Sequence, residues 1–308
     1  MQTVDSVRAQ THDNFELLIV DDRSTDGGLE FVQEQTSDDS RIRVWSRETV
    51  SPGAPACRNE GLSQASGRFV IFLDSDDLLA PECLKSRLAT ATLYPKSQFW
   101  AFPSLIFKNV PEDGDRIWFH QADDPLEGFL RKPLWQTTST FWRREFIREL
   151  GGFQEDLLSW QDWELHVRAL ASDGDFSLHP GQPDCFIRRA IHSRISGFSE
   201  RQRSHLLNRM SLLRNTYFLL QSRNQLKQSR HDALSETCRK LASKLYRAKM
   251  RTDAERWIND ITQIGLIDPS ESVRFRQMAL DESRFTFSER VQEFKNSLLD
   301  LIVRVRGN

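Results

Sequence analysis

Three carboxylates fall within four positions at Asp74-Ser75-Asp76-Asp77, directly after the apolar run Phe69–Leu73. Side chains two apart on an extended segment point the same way, so Asp74 and Asp76 can converge on one cation. Acids this close repel each other unless something positive sits between them. Five consecutive apolar residues read as a strand buried on both faces. The chemistry implied is a divalent cation, Mn²⁺ or Mg²⁺, held by hard carboxylate oxygens at a strand end, where α/β folds place ligands. A solvated, Asp-rich turn is the plainer reading of the same residues. A second acidic pair, Asp21-Asp22, ends another apolar run, Phe15–Val20. By themselves these two would equally serve as a helix-capping turn.

The elements that must position these acids follow a regular order. Ser24 to Asp26 supply cap candidates for a helix over 28–36, Arg41–Trp45 alternates as a strand, and 54–65 reads as a helix. Pro81 opens a helix that runs to about Leu93. Strands alternating with helices of about ten residues indicate an α/β protein with a doubly wound, mostly parallel sheet. After residue 97 the pattern changes to an aromatic-rich mixed region, with strands expected over Phe99–Phe107, Arg116–Gln121 and Trp135–Trp142. Leu150-Gly151-Gly152-Phe153 marks a helix stop, and Asp162–Ala171 a new helix. From about residue 200 the chain reads as helical, with Asp268-Pro269 as a break. The domains expected are residues 1–198 and a helical region over 199–308.

Composition narrows the function classes. A hydrophobic share of 38% with 28% charged residues suits a globular protein with a sizeable core. The net charge of -2 hides an asymmetry: residues 200–308 sum to +8 and residues 1–199 to -10. An acidic first part suits a cation site. Cys57, Cys83, Cys185 and Cys238 are widely spaced and form no CxxC pair, so a cytoplasmic protein with reduced thiols is expected. No leader-like or membrane-spanning run is legible. The last segment carries Val291, Phe294, Leu298, Ile302 and Val305 at helical spacing among basic residues. It reads first as a core-packing helix and second as a peripheral contact with an anionic membrane at the inner face of the cell.

In order, these pieces resemble the family 2 glycosyltransferases of the GT-A fold, of the kind that assemble bacterial polysaccharide and lipopolysaccharide. The residues that carry the resemblance are Phe15–Asp26, Arg58-Asn59-Glu60-Gly61, Gly67–Pro81, Arg144–Phe153 and Gln161–Leu165. It covers roughly residues 3–198. The resemblance implies an inverting, metal-dependent transfer of a sugar from a nucleotide diphosphate, a UDP-sugar, to a hydroxyl of a glycan or lipid-linked acceptor. No nucleic-acid partner is expected. By position, Asp21, Asp22, Arg58 and Asn59 would line the nucleotide site, and Asp74 with Ser75 the ribose side of the donor. Asp76 and Asp77 would hold the metal, and His192 corresponds to a late histidine that reaches the metal or diphosphate. Asp162 matches the base that deprotonates the acceptor, with Gln161 standing where an acid is usual. Trp160 and Trp163 flank that base and can stack on a sugar. Trp135 is a further acceptor-side candidate, with core packing as its other reading. Arg188, Arg189 and Arg194 either grip phosphates or form an exposed basic loop.

One departure stands out. Family members open on an apolar strand that contacts the nucleotide base, whereas Thr3–Gln10 here matches the helix that follows it. The expectation is either a reading frame that starts further upstream or a truncated form with weakened donor binding. The second option carries the alternative function, an inactive remnant that binds nucleotide-sugar or serves as an assembly partner.

Overall fold

The structure, a computed structural model, describes residues 1–48, 53–189 and 200–284. The chain divides into two compact units, one of residues 1–197 with 219–225 and one of residues 198–218 with 226–308.

The first unit begins with α1 (Gln2–Arg8), β1 (Leu17–Asp21), α2 (Gly28–Thr36), β2 (Ile42–Ser46), α3 (Ala54–Gln64) and β3 (Phe69–Val70). The next elements are β4 (Leu78–Leu79), α4 (Cys83–Leu93), β5 (Phe99–Ala101), β6 (Ser104–Phe107), β7 (Arg116–Trp118), α5 (Pro125–Arg131) and β8 (Thr140–Arg143). It closes with α6 (Arg144–Glu149), α7 (Gln161–Leu170), β9 (Phe176–Leu178) and β10 (Cys185–Arg188). Local chemistry explains several starts. Asp124 accepts from the Glu127 amide at 3.1 Å and Pro125 follows it, so α5 has both a cap and a pre-set first turn. The α2 helix enters through Gly27 at φ 78°, a backbone conformation in which glycine carries no Cβ penalty.

The architecture is α/β with mixed sheets. The β1 and β2 strands pair in parallel, Leu17 opposite Ile42 through Asp21 opposite Ser46. A second sheet runs β4-β10-β6-β7 and a third β3-β8-β5-β9. Within these two sheets only β10 with β6 and β5 with β9 are parallel. The mostly parallel expectation therefore holds for β1 and β2, while the aromatic-rich half is mixed. The expected strand Phe69–Leu73 is also shorter than its composition suggests. Its ladder to β8 ends at Val70, and no backbone hydrogen bond reaches Ile71, Phe72 or Leu73 among the described residues. Those residues are held by packing. Ile71 and Leu73 lie against Val7, Leu79, Cys83 and Cys185, and Ile71 also touches the cluster of Ala91, Trp100, Phe102 and Phe141.

One buried charge braces this core. Arg87 on α4 is fully enclosed and grips Asp184 with two bonds of 2.8 and 2.6 Å while donating to the Thr138 carbonyl at 2.9 Å. A buried guanidinium is tolerable only with this degree of pairing.

The second unit is helical: α8 (Glu200–Ser222, whose last turn belongs to the first unit), α9 (Gln228–Arg247), α10 (Arg251–Gln263) and α11 (Ser272–Arg284). Leu234, Cys238, Leu241 and Leu245 recur at helical spacing and are buried, as are Trp257, Ile258 and Ile261 of α10. Trp257 donates its indole N–H to the Cys238 carbonyl at 3.1 Å. Glu255 receives Tyr246 and Arg276, each at 2.7 Å, which ties the three helices at one end. The expected break at Asp268-Pro269 is a capped turn, with Asp268 accepting from the Ser270 amide at 2.7 Å. Among the described residues no helix is long and apolar enough to cross a membrane. The amphipathic segment after residue 288 lies outside the described residues.

Candidate active site

The Asp74–Asp77 turn follows Leu73 and closes through an Asp77 amide to Asp74 carbonyl bond of 3.1 Å. Asp74 remains partly open to solvent and forms an ion pair with Arg58, which α3 presents. The Arg58 guanidinium also lies over the Phe153 ring, 5.0 Å from its centroid. Ser75 and Asp76 are exposed. Asp76 carries a carboxylate with no hydrogen-bond or ion-pair partner among the described residues.

Asp77 turns the other way, against the expectation that it would hold a metal. It is buried, and its two oxygens accept from the Arg188 amide at 2.9 Å and the Thr138 hydroxyl at 3.3 Å. Burial is the main cause that raises its pKa to about 7, with Asp74 and Asp76 pushing the same way. An inward-facing acid with both oxygens so engaged is a structural tie. Arg188 completes that tie: it donates to the Asp76 carbonyl at 3.0 Å, the Asn109 carbonyl at 3.0 Å and Gln2 at 2.7 Å. Its guanidinium is thereby occupied in shaping the acidic turn. Arg189 pairs with Asp115 at 2.6 Å. His192 and Arg194 lie outside the described residues.

At the end of β1, Asp21 accepts from the Ser24 amide at 2.8 Å. Burial opposes ionisation there, but hydrogen bonds from Ser24, Arg23 and Ser46 outweigh it and lower the pKa. Asp22 pairs with the buried Arg47 and accepts from the Gly53 amide at 2.9 Å, so it pins the entry to α3. Asn59 is fully engaged too. It donates to the Phe153 carbonyl at 2.8 Å and to Glu155 at 2.9 Å, and its own carbonyl receives the Phe153 amide at 2.8 Å. An amide that pairs with both backbone groups of one residue acts as a short strand partner. Asn59 therefore positions Phe153 instead of facing a nucleotide.

Across from this turn stands the first turn of α7. Trp160 caps it in the left-handed conformation, φ 64°, which is uncommon for a bulky residue and marks a constrained turn. Asp162 follows, with Oδ1 accepting from the Trp163 amide at 2.9 Å. Protein atoms surround its carboxylate on nearly all sides, yet the residue keeps accessible surface, as on the floor of a cleft. Burial raises its pKa, Arg58 pulls it back and Asp74 pushes it up. Asp74, Arg58 and Asp162 thus form one electrostatic cluster, assembled from the turn that follows Leu73, from α3 and from α7.

The tryptophans divide. Trp160 is partly exposed and its ring centroid lies 5.4 Å from that of Trp163. Trp163 is buried and donates to the Phe129 carbonyl at 2.6 Å. Trp135 is fully enclosed, 4.6 Å from the Phe129 ring and 5.8 Å from the His166 ring. Trp135 and Trp163 are core residues, and an acceptor sugar has no access to either. His166, which sequence reading passed over, donates from Nδ1 to the Asp162 carbonyl at 2.7 Å and accepts from Thr140 at 2.9 Å. Arg168 was also missed. It pairs with buried Glu164 at 2.7 Å and donates to the Gly152 carbonyl at 2.8 Å and to the Leu150 carbonyl. A Glu-x-x-x-Arg spacing on one helix was the available signal.

With this geometry in view, the comparisons are specific. The family model described as Glycosyl transferase family 2 matches residues 1–151. This chain carries a family 2 glycosyltransferase domain. The putative teichuronic acid biosynthesis glycosyltransferase TuaG of Bacillus subtilis is 36% identical over 131 residues, 42% of this chain and 46% of that protein. A β-1,3-glucosyltransferase of Campylobacter jejuni, named for the substrate GalNAc(5)-diNAcBac-PP-undecaprenol, is 34% identical over 90 residues, 29% of each chain. The chain thus spans less than half the length of these two relatives. Among solved structures, S. aureus TarS 1–349 in complex with UDP-GlcNAc superposes with a TM-score of 0.67 at 19% identity, covering 92% of this chain and 84% of that one. That likeness establishes the GT-A fold. The compact unit that holds the matched residues continues past them, to residue 197.

Proposed function

We propose that this protein is an inverting, metal-dependent glycosyltransferase that moves a sugar from a UDP-sugar to a hydroxyl of a glycan or lipid-linked acceptor. The observation that carries the reading is that Asp162 feels the charges of both Asp74 and Arg58, which are themselves an ion pair. A reaction centre for sugar transfer needs those two sides: a base for the acceptor and charge relief for the leaving diphosphate.

On the donor side, Asp74 and Asp76 offer hard oxygens suited to Mn²⁺ or Mg²⁺. The free carboxylate of Asp76 and the accessible one of Asp74 fit such a cation with phosphate oxygens completing its shell, whereas Asp77 does not. When bound, the cation neutralises charge on the departing diphosphate. Asp21 and Asp22, at the end of β1, border the nucleotide end of the cleft.

On the acceptor side, an Asp162 oxygen takes the proton of the attacking hydroxyl. The hydroxyl oxygen then forms its bond to the anomeric carbon as the bond to the diphosphate oxygen breaks, with the electron pair leaving on UDP. Attack from the face opposite the leaving group inverts the anomeric configuration. Burial raises the pKa of Asp162 and so strengthens it as a base, while the Trp163 amide and the charge of Arg58 pull the other way. Trp160 supplies a ring face for the acceptor. Relatives named for teichuronic acid and undecaprenol-linked glycan assembly favour a cell-envelope acceptor.

Asp162→Asn tests the assignment. Transfer measured by UDP release falls by about a hundredfold or more, the usual scale for a lost general base. Binding of UDP with Mn²⁺, measured by calorimetry, stays within a few-fold of wild type. Full activity in this variant refutes the role.

A further inference from the structure

The cation side of the cleft is already partly neutralised from within. Asp74 could offer an oxygen to a divalent ion, yet that carboxylate is held by Arg58. The guanidinium has little freedom to leave on its own, being mostly buried and seated over the Phe153 ring at 5.0 Å. Phe153 is itself fixed through both backbone groups by Asn59. The same positive charge acts on Asp162, the other carboxylate of the cleft.

We propose that Arg58 is a built-in counter-ion that keeps a free divalent cation off Asp74, so that metal enters only together with the nucleotide diphosphate. A cation at Asp74 with Arg58 in place meets a like charge within a few ångströms. The diphosphate removes that conflict, because its oxygens can accept the guanidinium as Asp74 is released. Arg58 then bears on the leaving group while Asp74 turns to the metal. The inference deepens the proposed reading and rests on it, since it presumes a metal–nucleotide donor site.

Titration of the full chain with Mn²⁺ alone, followed by electron paramagnetic resonance of the free ion, separates the possibilities. Arg58→Gln is expected to bind Mn²⁺ alone at least about tenfold more tightly than wild type, because one nearby positive charge has gone. Arg58→Lys keeps the charge and is expected to stay at the wild-type value. Arg58→Met keeps the stem packed on Phe153 and carries the same expectation as Arg58→Gln, which covers a folding failure of the latter. If neither neutral variant gains affinity, or Arg58→Lys gains as much as they do, the proposal is overturned. The same titration with saturating UDP distinguishes the two ideas. Wild type that binds Mn²⁺ with UDP, alongside neutral variants that gain nothing without it, removes the counter-ion role alone. Wild type that fails to bind Mn²⁺ with UDP removes the metal-dependent reading and the counter-ion role with it.

Discussion

Replacing Arg168 with methionine tests how the acceptor side is held rigid. The Arg168 side chain is 11% exposed and Glu164 6%, and two bonds of 2.7 Å join them. The same guanidinium satisfies the carbonyls of Leu150 and Gly152. Methionine fills much of the volume but leaves a buried carboxylate without a partner and two carbonyls without a donor. Breaking one side of a buried pair costs about 3–5 kcal/mol. For a unit of the size of the first one, residues 1–197 with 219–225, each kcal/mol moves the midpoint by roughly 2–4 °C, so a fall of roughly 6–20 °C is expected by differential scanning calorimetry. The double variant Glu164→Leu with Arg168→Met removes the stranded charge and recovers a large part of that loss. A double-mutant cycle then shows strong coupling, on the order of 2 kcal/mol. A loss below about 1 kcal/mol for Arg168→Met, or additive behaviour in the cycle, would falsify the claim that this pair stitches the Gly151–Gly152 turn to α7.

Two further expectations follow from buried titratable groups. Asp77 has a folded pKa near 7 against an ordinary 3.8, so the folded state holds a proton that the unfolded state has lost between those values. Its contribution is intact below about pH 4 and fades as pH rises through 7, by at most about 4 kcal/mol. Asp77→Asn should thus gain on wild type as pH climbs from 4 to 8 in chelator, and a gap that stays constant in denaturation curves rejects the assignment. His166 runs the opposite way: burial lowers its pKa from 6.5 to about 4. The unfolded chain takes up the proton first on acidification, so wild type loses stability between pH 6.5 and 4, by about 3 kcal/mol. His166→Phe lacks that dependence, so its deficit against wild type at pH 7 narrows by pH 4.5; parallel pH profiles exclude a buried neutral imidazole.

The places of several candidate site residues in the fold were legible in the chain because their signals are local. Of the acids at the ends of apolar runs, Asp21 closes β1 and Asp74 follows the packed segment after β3, and Asp162 lies in the first turn of a helix placed within one residue of expectation. Three kinds of information were not local. The direction of Asp77 depends on Thr138 and Arg188, which lie 61 and 111 residues away. Asn59 is set by Phe153, 94 residues on, so an amide expected to face a ligand instead holds backbone. The Trp135–Trp142 stretch has strand composition throughout, yet only Thr140–Arg143 finds ladder partners, and Trp135 goes to the core between α5 and α7 residues. Strand pairing is likewise a long-range outcome, which is why alternation with helices suggested more parallel ladders than formed.

The hooks around Gly152 bear on where this protein can be cut. The match to the family model ends at residue 151, in the middle of the turn that Arg168 and Asn59 grip from either side. Past that point β9 still completes one sheet beside β5, and β10 still separates β4 from β6 in the other. A fragment trimmed to the region of similarity would lose the arginine, two strands and the Asp184 partner of buried Arg87. The stretch matched by the family model and the stretch that folds as a unit have different ends, and the second reaches at least to Arg188.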